Sequence, residues 1–252
     1  AVIRLVTLPS VEFNLARLIA AISEAHPDRV ALVHKSKQIS FPTFVERYRR
    51  FGSALNASGL SCRVERSELE GHMSGQDHVA LFLNNECEYL ESMLGAWAGR
   101  VASFNVNHRY IADELHYLLT DADAKAVVVN SMYAPNLAEV LPQLPNLGLI
   151  VQVPDESGNG LLPGAIYYED FLREQEPRDL DDCSPDDLYL LYTGGTTGMP
   201  KGVLWRNADF FVGALGGLDR KTGLDYDSYA EVASAAARGT IKWMTSAPFM
   251  HG

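Results

Sequence analysis

Short apolar runs and amphipathic stretches alternate along most of the chain. The clearest succession begins with the apolar run Val79–Leu83, passes through a helix-spaced segment from Glu86 to Ala98, and returns to strand at Val101–Phe104. Ala112–Thr120 then reads as helix and Ala126–Val129 as strand. Ala134–Leu144 follows as helix despite Pro135 near its start and Pro142 near its end, and Leu149–Val153 as strand. Strands that are apolar throughout, separated by amphipathic helices, predict a mostly parallel sheet covered by helices on both faces, the α/β class.

Upstream, Phe44, Val45, Tyr48, Phe51 and Leu55 recur at helical spacing. Ser40 and Pro42 supply start signals for that helix and Gly59 a stop. Val30–His34 and Gln38–Ser40, joined by Lys35-Ser-Lys37, predict a short hairpin before it. Residues 61–77 lack a convincing period and read as loop, as does the polar stretch from Pro154 to Gly164. Five aspartates fall between Asp179 and Asp187, and they read as a solvated linker between subdomains. No internal repeat is visible.

Composition narrows the function classes without choosing among them. The chain of 252 residues carries 21 Lys and Arg against 32 Asp and Glu, a net charge of −11. That balance repels a phosphate backbone, and no basic stripe offsets it, so nucleic-acid binding is not expected. Cys62, Cys87 and Cys183 form no CxxC pair and read as reduced thiols of a cytoplasmic protein. No apolar stretch reaches the roughly 18 to 20 residues of a membrane span. The first apolar segment, Leu15–Ile22, is interrupted by Arg17. Peripheral contact with a membrane is compatible with this, although no basic amphipathic helix argues for it. Oligomeric state is not legible.

The chemistry is concentrated in Leu188-Tyr-Leu-Leu-Tyr-Thr-Gly-Gly-Thr-Thr-Gly-Met-Pro-Lys-Gly-Val203. An apolar and aromatic strand runs directly into Thr193-Gly-Gly-Thr-Thr-Gly198, followed by Pro200, Lys201 and Gly202. Three glycines let backbone N–H groups approach an anion, three threonine hydroxyls add neutral donors, and Lys201 supplies a cation. Such a loop suits a polyphosphate. It is neither a Walker A loop, since Lys201 lies between Pro200 and Gly202, nor a G-x-G-x-x-G turn.

Tyr192-Thr-Gly-Gly-Thr-Thr-Gly-Met-Pro-Lys-Gly202 resembles the phosphate-loop signature of the adenylate-forming superfamily, which includes acyl-CoA synthetases, nonribosomal peptide adenylation domains and firefly luciferase. Gly194 stands where the usual signature has serine, which removes one hydroxyl but keeps the backbone N–H. Two further stretches agree. Asn105-Val-Asn-His-Arg-Tyr110 with Glu114-Leu-His-Tyr117 resembles a strand-to-helix segment of acyl-CoA ligases, and Ala247-Pro-Phe-Met-His-Gly252 is similar to the family's Pro-x-x-His-Gly element. The Gly-Gly loop followed by Val203-Leu-Trp-Arg206 looks most like fatty-acyl or steroid-side-chain CoA ligases.

The resemblance implies ATP-dependent conversion of a carboxylic acid to acyl-AMP and then acyl-CoA, with ATP, Mg2+ and coenzyme A as the small molecules required. Thr193, Gly194, Gly195, Thr196, Thr197, Gly198 and Lys201 would hold the nucleotide phosphates, and His251 would be an active-site residue beside the acyl pocket. No metal ligand is assigned. The fold it implies is the N-terminal part of an acyl-CoA synthetase: residues about 78–202 as one complete α/β subdomain with the phosphate loop, and about 12–60 and 203–252 as parts of a second. The family's Tyr-Gly-x-Thr-Glu segment, hinge and C-terminal catalytic lysine have no counterpart here, so the chain is expected to be an N-terminal fragment, inactive alone. Two alternatives stay open: a non-catalytic nucleotide-binding or interaction module, and a fragment of an amino-acid adenylation domain.

Overall fold

The computed structural model describes residues 11–193, 199–219, 221–239, 244–245 and 247–251. At its centre a seven-stranded sheet has the order β7-β6-β5-β3-β4-β8-β9. Its strands are β3 (His78–Phe82), β4 (Ala102–Asn105), β5 (Ala124–Asn130), β6 (Leu149–Val153), β7 (Ile166–Tyr167), β8 (Leu188–Thr193) and β9 (Lys201–Arg206). All neighbours are parallel except β8 and β9. A separate hairpin pairs β1 (Val30–His34) with β2 (Lys37–Ser40), as its sequence predicts. Val203–Arg206, placed by sequence in the second subdomain, run in the edge strand β9 of the main sheet.

Helices cover both faces, which is why β3 and β5 can be apolar throughout. On one side α4 (Ala112–Asp121) and α5 (Ala134–Val140) close over Phe82, Phe104, Val127 and Val129. On the other, α2 (Phe41–Ala57), α3 (Cys87–Ala98) and α6 (Tyr168–Arg173) close over Val79, Leu81, Val128 and Val151. Outside this layer lie α1 (Leu15–Ala25), α7 (Asn207–Gly213) and α8 (Tyr229–Ala237). Each fully buried Leu, Val or Phe of these layers contributes roughly 1.5–3 kcal/mol by leaving water. The helix α2 starts where Ser40 Oγ accepts the Thr43 N–H and Pro42 sits in its first turn. It packs unusually close to α3: a Cβ built on Gly52 would lie 2.9 Å from Gly95 O, so the two backbones meet without side chains between them.

The helix expected from Ala134 to Leu144 ends early. α5 stops at Val140 and a single 3₁₀ turn, Leu141–Gln143, replaces its last turn, because Pro142 has no N–H for the ladder and its ring crowds the carbonyl four residues back. The loop at 61–77 is confirmed, with one 3₁₀ turn at Arg66–Glu68.

The aspartate-rich stretch corrects its sequence reading. Asp187 is only 1% exposed and stands at the amino end of β8. Its carboxylate accepts from Arg100 Nε (3.1 Å), Gln76 Nε2 (3.1 Å), Asn14 Nδ2 (3.2 Å) and the Ser184 N–H (2.9 Å). Arg100, left-handed at φ 56°, also forms a two-pronged pair with Glu65. Asn14 caps α1, and Asn207, first residue of α7, donates to the Asp187 carbonyl. Thus Asp187 ties four separate segments at the amino edge of the sheet, while Asp179, Asp181, Asp182 and Asp186 remain outside the core.

Candidate functional site

The order of the strands creates the site. From β3 the chain crosses by α3 to β4 on one side, then returns by α4 to β5 on the other side of β3. α3 and α4 lie on opposite faces of the sheet, which makes the carboxyl ends of β3, β4 and β5 a switch point of the topology, the usual place for a ligand in an open α/β sheet. Because β8 runs parallel to β4, Thr193 at its carboxyl end opens onto the same edge.

The Gly/Thr string is the connection of a β-hairpin. Thr193, last residue of β8, is paired with Lys201, first residue of β9, and Tyr192 with Gly202. Both Thr193 and Lys201 are exposed, so a neutral donor and an ammonium sit side by side at the hairpin's mouth. Gly194, Gly195, Thr196, Thr197 and Gly198 lie outside the described residues. The strands that flank the loop are held firmly. Tyr192 donates to Asp121 Oδ2 at 2.8 Å and tilts its ring against Phe104, and burial, reinforced by Asp121, holds its phenol protonated. Tyr117 Oη donates to the Pro200 carbonyl at 3.1 Å. Gly202 lets the Tyr192 ring lie close across the hairpin, since a Cβ would meet that ring at 3.0 Å.

The second part of the site is the turn Phe249–His251, which sits against β4. Phe249 N–H donates to Asn85 Oδ1 (2.7 Å), Asn85 Nδ2 donates to the Ala247 carbonyl (2.8 Å), and Asn105 Nδ2 donates to the Phe249 carbonyl (2.8 Å). His108 N–H reaches Met250 Sδ at 3.4 Å, and the Phe249 ring packs on Tyr89 at 5.0 Å. The His251 backbone is therefore at the carboxyl edge that also carries Thr193 and Lys201. Nearby, the rings of Phe82, Tyr133 and His108 stack successively at 4.8 and 5.5 Å. Burial holds the Glu86 carboxyl above its usual range, despite a bond from Asn130. Burial likewise pushes the Tyr189 phenol, beside Asn105, up to about 12.

Several of these groups escape sequence reasoning. Asn85 and Tyr133 belong to no motif considered above, and Asn105 and Tyr117 enter only as parts of a resembling segment. The one available signal for Asn85 is its position: a polar Asn84-Asn85 pair just past an apolar parallel strand marks the ligand end of such a sheet.

Comparison with known proteins agrees with the geometry. The model of the family described as AMP-binding enzyme matches residues 19–252. The medium-chain acyl-CoA ligase Mig of Mycobacterium avium is 45% identical over 243 residues, which cover 95% of this chain and 44% of the ligase. The 3-oxocholest-4-en-26-oate–CoA ligase of Rhodococcus rhodochrous is 32% identical over 95% of this chain and 41% of its own length. Among solved structures, the anthranilate CoA ligase AuaEII in complex with anthranoyl-AMP matches 82% of this chain and 39% of its own, at 21% identity and a TM-score of 0.64. The N-terminal domain of FACL13 from Mycobacterium tuberculosis matches 78% of this chain with a TM-score of 0.62. The chain thus spans less than half the length of the relatives it matches.

Proposed function

The chain belongs to the AMP-binding enzyme family, and on that premise we propose that the protein carrying it activates a carboxylic acid with ATP, giving acyl-AMP and pyrophosphate and then, with coenzyme A, acyl-CoA and AMP. The acid proposed is a fatty acid or a steroid side-chain acid, the classes named for its sequence relatives. The observation that carries the reading is the shared carboxyl edge: Thr193 and Lys201 at the hairpin mouth, beside the Phe249–His251 turn.

A carboxylate is a poor acyl donor because its oxygen cannot be expelled by a thiol at neutral pH. Attack of the carboxylate oxygen on the α-phosphorus of ATP expels pyrophosphate and converts that oxygen into part of a good leaving group. Charge grows on phosphate oxygens in this step, so the protein's part is positioning and preorganised donors. Lys201 and the Thr193 hydroxyl fit that demand, with the loop amides from Gly194 to Gly198 completing the proposed cradle. Magnesium accompanies ATP as its counter-ion. His251 borders the acyl group in this reading.

No helix among the described residues is long and apolar enough to cross a membrane. The test is acid-dependent pyrophosphate release by the natural gene product containing these residues, whatever its length, with fatty, steroid side-chain, aromatic and amino acids offered in turn. Release with fatty or steroid acids supports the proposal. Release with amino acids alone would reassign the chain to an amino-acid adenylation protein, and nucleotide binding without release under any acid would leave a non-catalytic module.

A further inference from the structure

We propose that Asn85 and Asn105 are positioning residues whose carboxamides fix the register and height of the Ala247–His251 segment, and through it the place of His251. The chemical meaning of this proposal rests on the ligase reading; its geometry does not.

Among the described residues, the hydrogen bonds that tie 247–250 to the sheet run to Asn85, Asn105 and the His108 N–H. The segment cannot be held as an additional strand at this edge, because Pro248 offers no N–H and the carboxyl ends of β3 and β4 are already paired within the sheet. Two side-chain amides take over that work. Asn85 reads the backbone on both sides of Pro248, accepting from Phe249 and donating to Ala247. A slip that brought Pro248 opposite Asn85 Oδ1 would leave that oxygen without a donor, so the contact selects a register. Asn105 then grips the Phe249 carbonyl from the carboxyl end of β4.

The state of Asn105 joins the core to the segment. The residue is 4% exposed, and its Oδ1 has no hydrogen-bond partner among the described residues. Burying a carbonyl that accepts no hydrogen bond is less favourable than burying an apolar group of similar shape. What the asparagine gives in return is a pair of Nδ2 bonds, one to the Tyr189 hydroxyl within the core and one to the Phe249 carbonyl of the segment. A carboxamide also suits the location because it is neutral at every working pH. It can hold a histidine-bearing turn beside a polyphosphate without adding a charge of either sign to the field in which the reaction occurs.

The experiment has two arms, both on the natural gene product. In the ligand-free protein, hydrogen exchange at the Phe249 amide is expected to rise at least tenfold in Asn85→Ala and in Asn105→Ser, while β3 and β4 keep their protection. Unchanged exchange at Phe249 overturns the proposal. In the second arm, Asn85→Ala is expected to lower kcat for acid-dependent pyrophosphate release by about tenfold or more through misplacement of His251, with KM for ATP within about twofold. The same substitution in a His251→Ala background should cause no further loss, since both act through one side chain. An undiminished loss in that background overturns the assignment. If the unsubstituted protein releases no pyrophosphate with any acid, the ligase reading fails, and exchange alone decides the clamp. Should Asn105→Ser fail to fold, Asn85→Ala and Asn85→Asp, in a half-buried loop, decide the matter; Asn85→Asp keeps the acceptor for Phe249 but loses the donor to Ala247.

Discussion

The two edges of the central sheet are both polar, yet they are wired in opposite ways. At the amino edge Asp187 is surrounded by four donors, and the side chains that reach it are themselves held: Arg100 by Glu65, Asn14 by the Ser184 carbonyl and its cap of α1, and Gln76 by the Leu188 N–H. At the carboxyl edge the Asn105 Oδ1 and the Tyr89 hydroxyl are buried without partners among the described residues, while Thr193 and Lys201 stand exposed. A closed polar network rigidifies one end of a fold, and an open one at the other end is where incoming groups can be received. The contrast separates what holds this chain together from what it is built to use.

Asp187→Ala should have the largest effect, because it takes the shared acceptor from Arg100 Nε, Gln76 Nε2, Asn14 Nδ2 and the Ser184 N–H at once. A loss of about 3–5 kcal/mol in denaturant unfolding is expected. A loss below about 1 kcal/mol would erase the contrast between the edges. Lys201→Ala tests the opposite edge. Its side chain is exposed, so unfolding should be unchanged, while transition-state stabilisation in the ATP-dependent step should fall by about 1.5–3 kcal/mol, the range for bonds to charged groups. Tyr117→Phe is milder: it frees the Pro200 carbonyl and should weaken ATP binding by about 0.5–1.5 kcal/mol, read as a raised KM.

A pH series sharpens the comparison further. Burial pushes the Asp187 carboxyl up to about 7, against the pull of Arg100 and the Ser184 N–H. An unfolded aspartate titrates near 3.9, so between about pH 4 and 7 the folded chain retains a proton that the unfolded chain has released. The stability linked to this group is therefore fully present below about pH 4 and is lost as the pH rises to 7. Asp187→Asn should flatten that part of the pH profile of the thermal midpoint; an identical slope in both proteins would assign the titration elsewhere.

How much of this was legible beforehand depends on which physical signal each part leaves in the chain. The strands β3 to β6 leave the strongest one, since burial on both faces demands unbroken apolar runs such as Val79–Leu83. β7 has only two residues and no period to read, and β9, Lys-Gly-Val-Leu-Trp-Arg, is an edge strand with neither alternation nor a continuous apolar run. α1 was hidden because Arg17 breaks its apolar run, although Asn14 caps it through two N–H groups. Pro142 marked the end of α5, but the sequence alone did not show that the helix would yield there. Asp187 was lost in a crowd: a count of aspartates carries no information about which one turns inward. Recognition of the Gly/Thr loop depended on local spacing and needed no tertiary knowledge, whereas Asn85 acquires meaning only once the chain 162 residues further on is folded back against it.

The pairing of Thr193 with Lys201 makes the seven residues 194–200 a closed ring whose ends are joined by the sheet itself. Bringing the ends of seven connecting residues together has a length-dependent entropic cost of about (3/2)RT ln 7, or roughly 1.7 kcal/mol. Folding of the sheet settles that cost before any ligand arrives, so a ligand at the hairpin mouth meets ends already closed. The same logarithm predicts that doubling the ring would raise the closure cost by only about 0.6 kcal/mol. Loop length is thus nearly free to vary as far as stability is concerned.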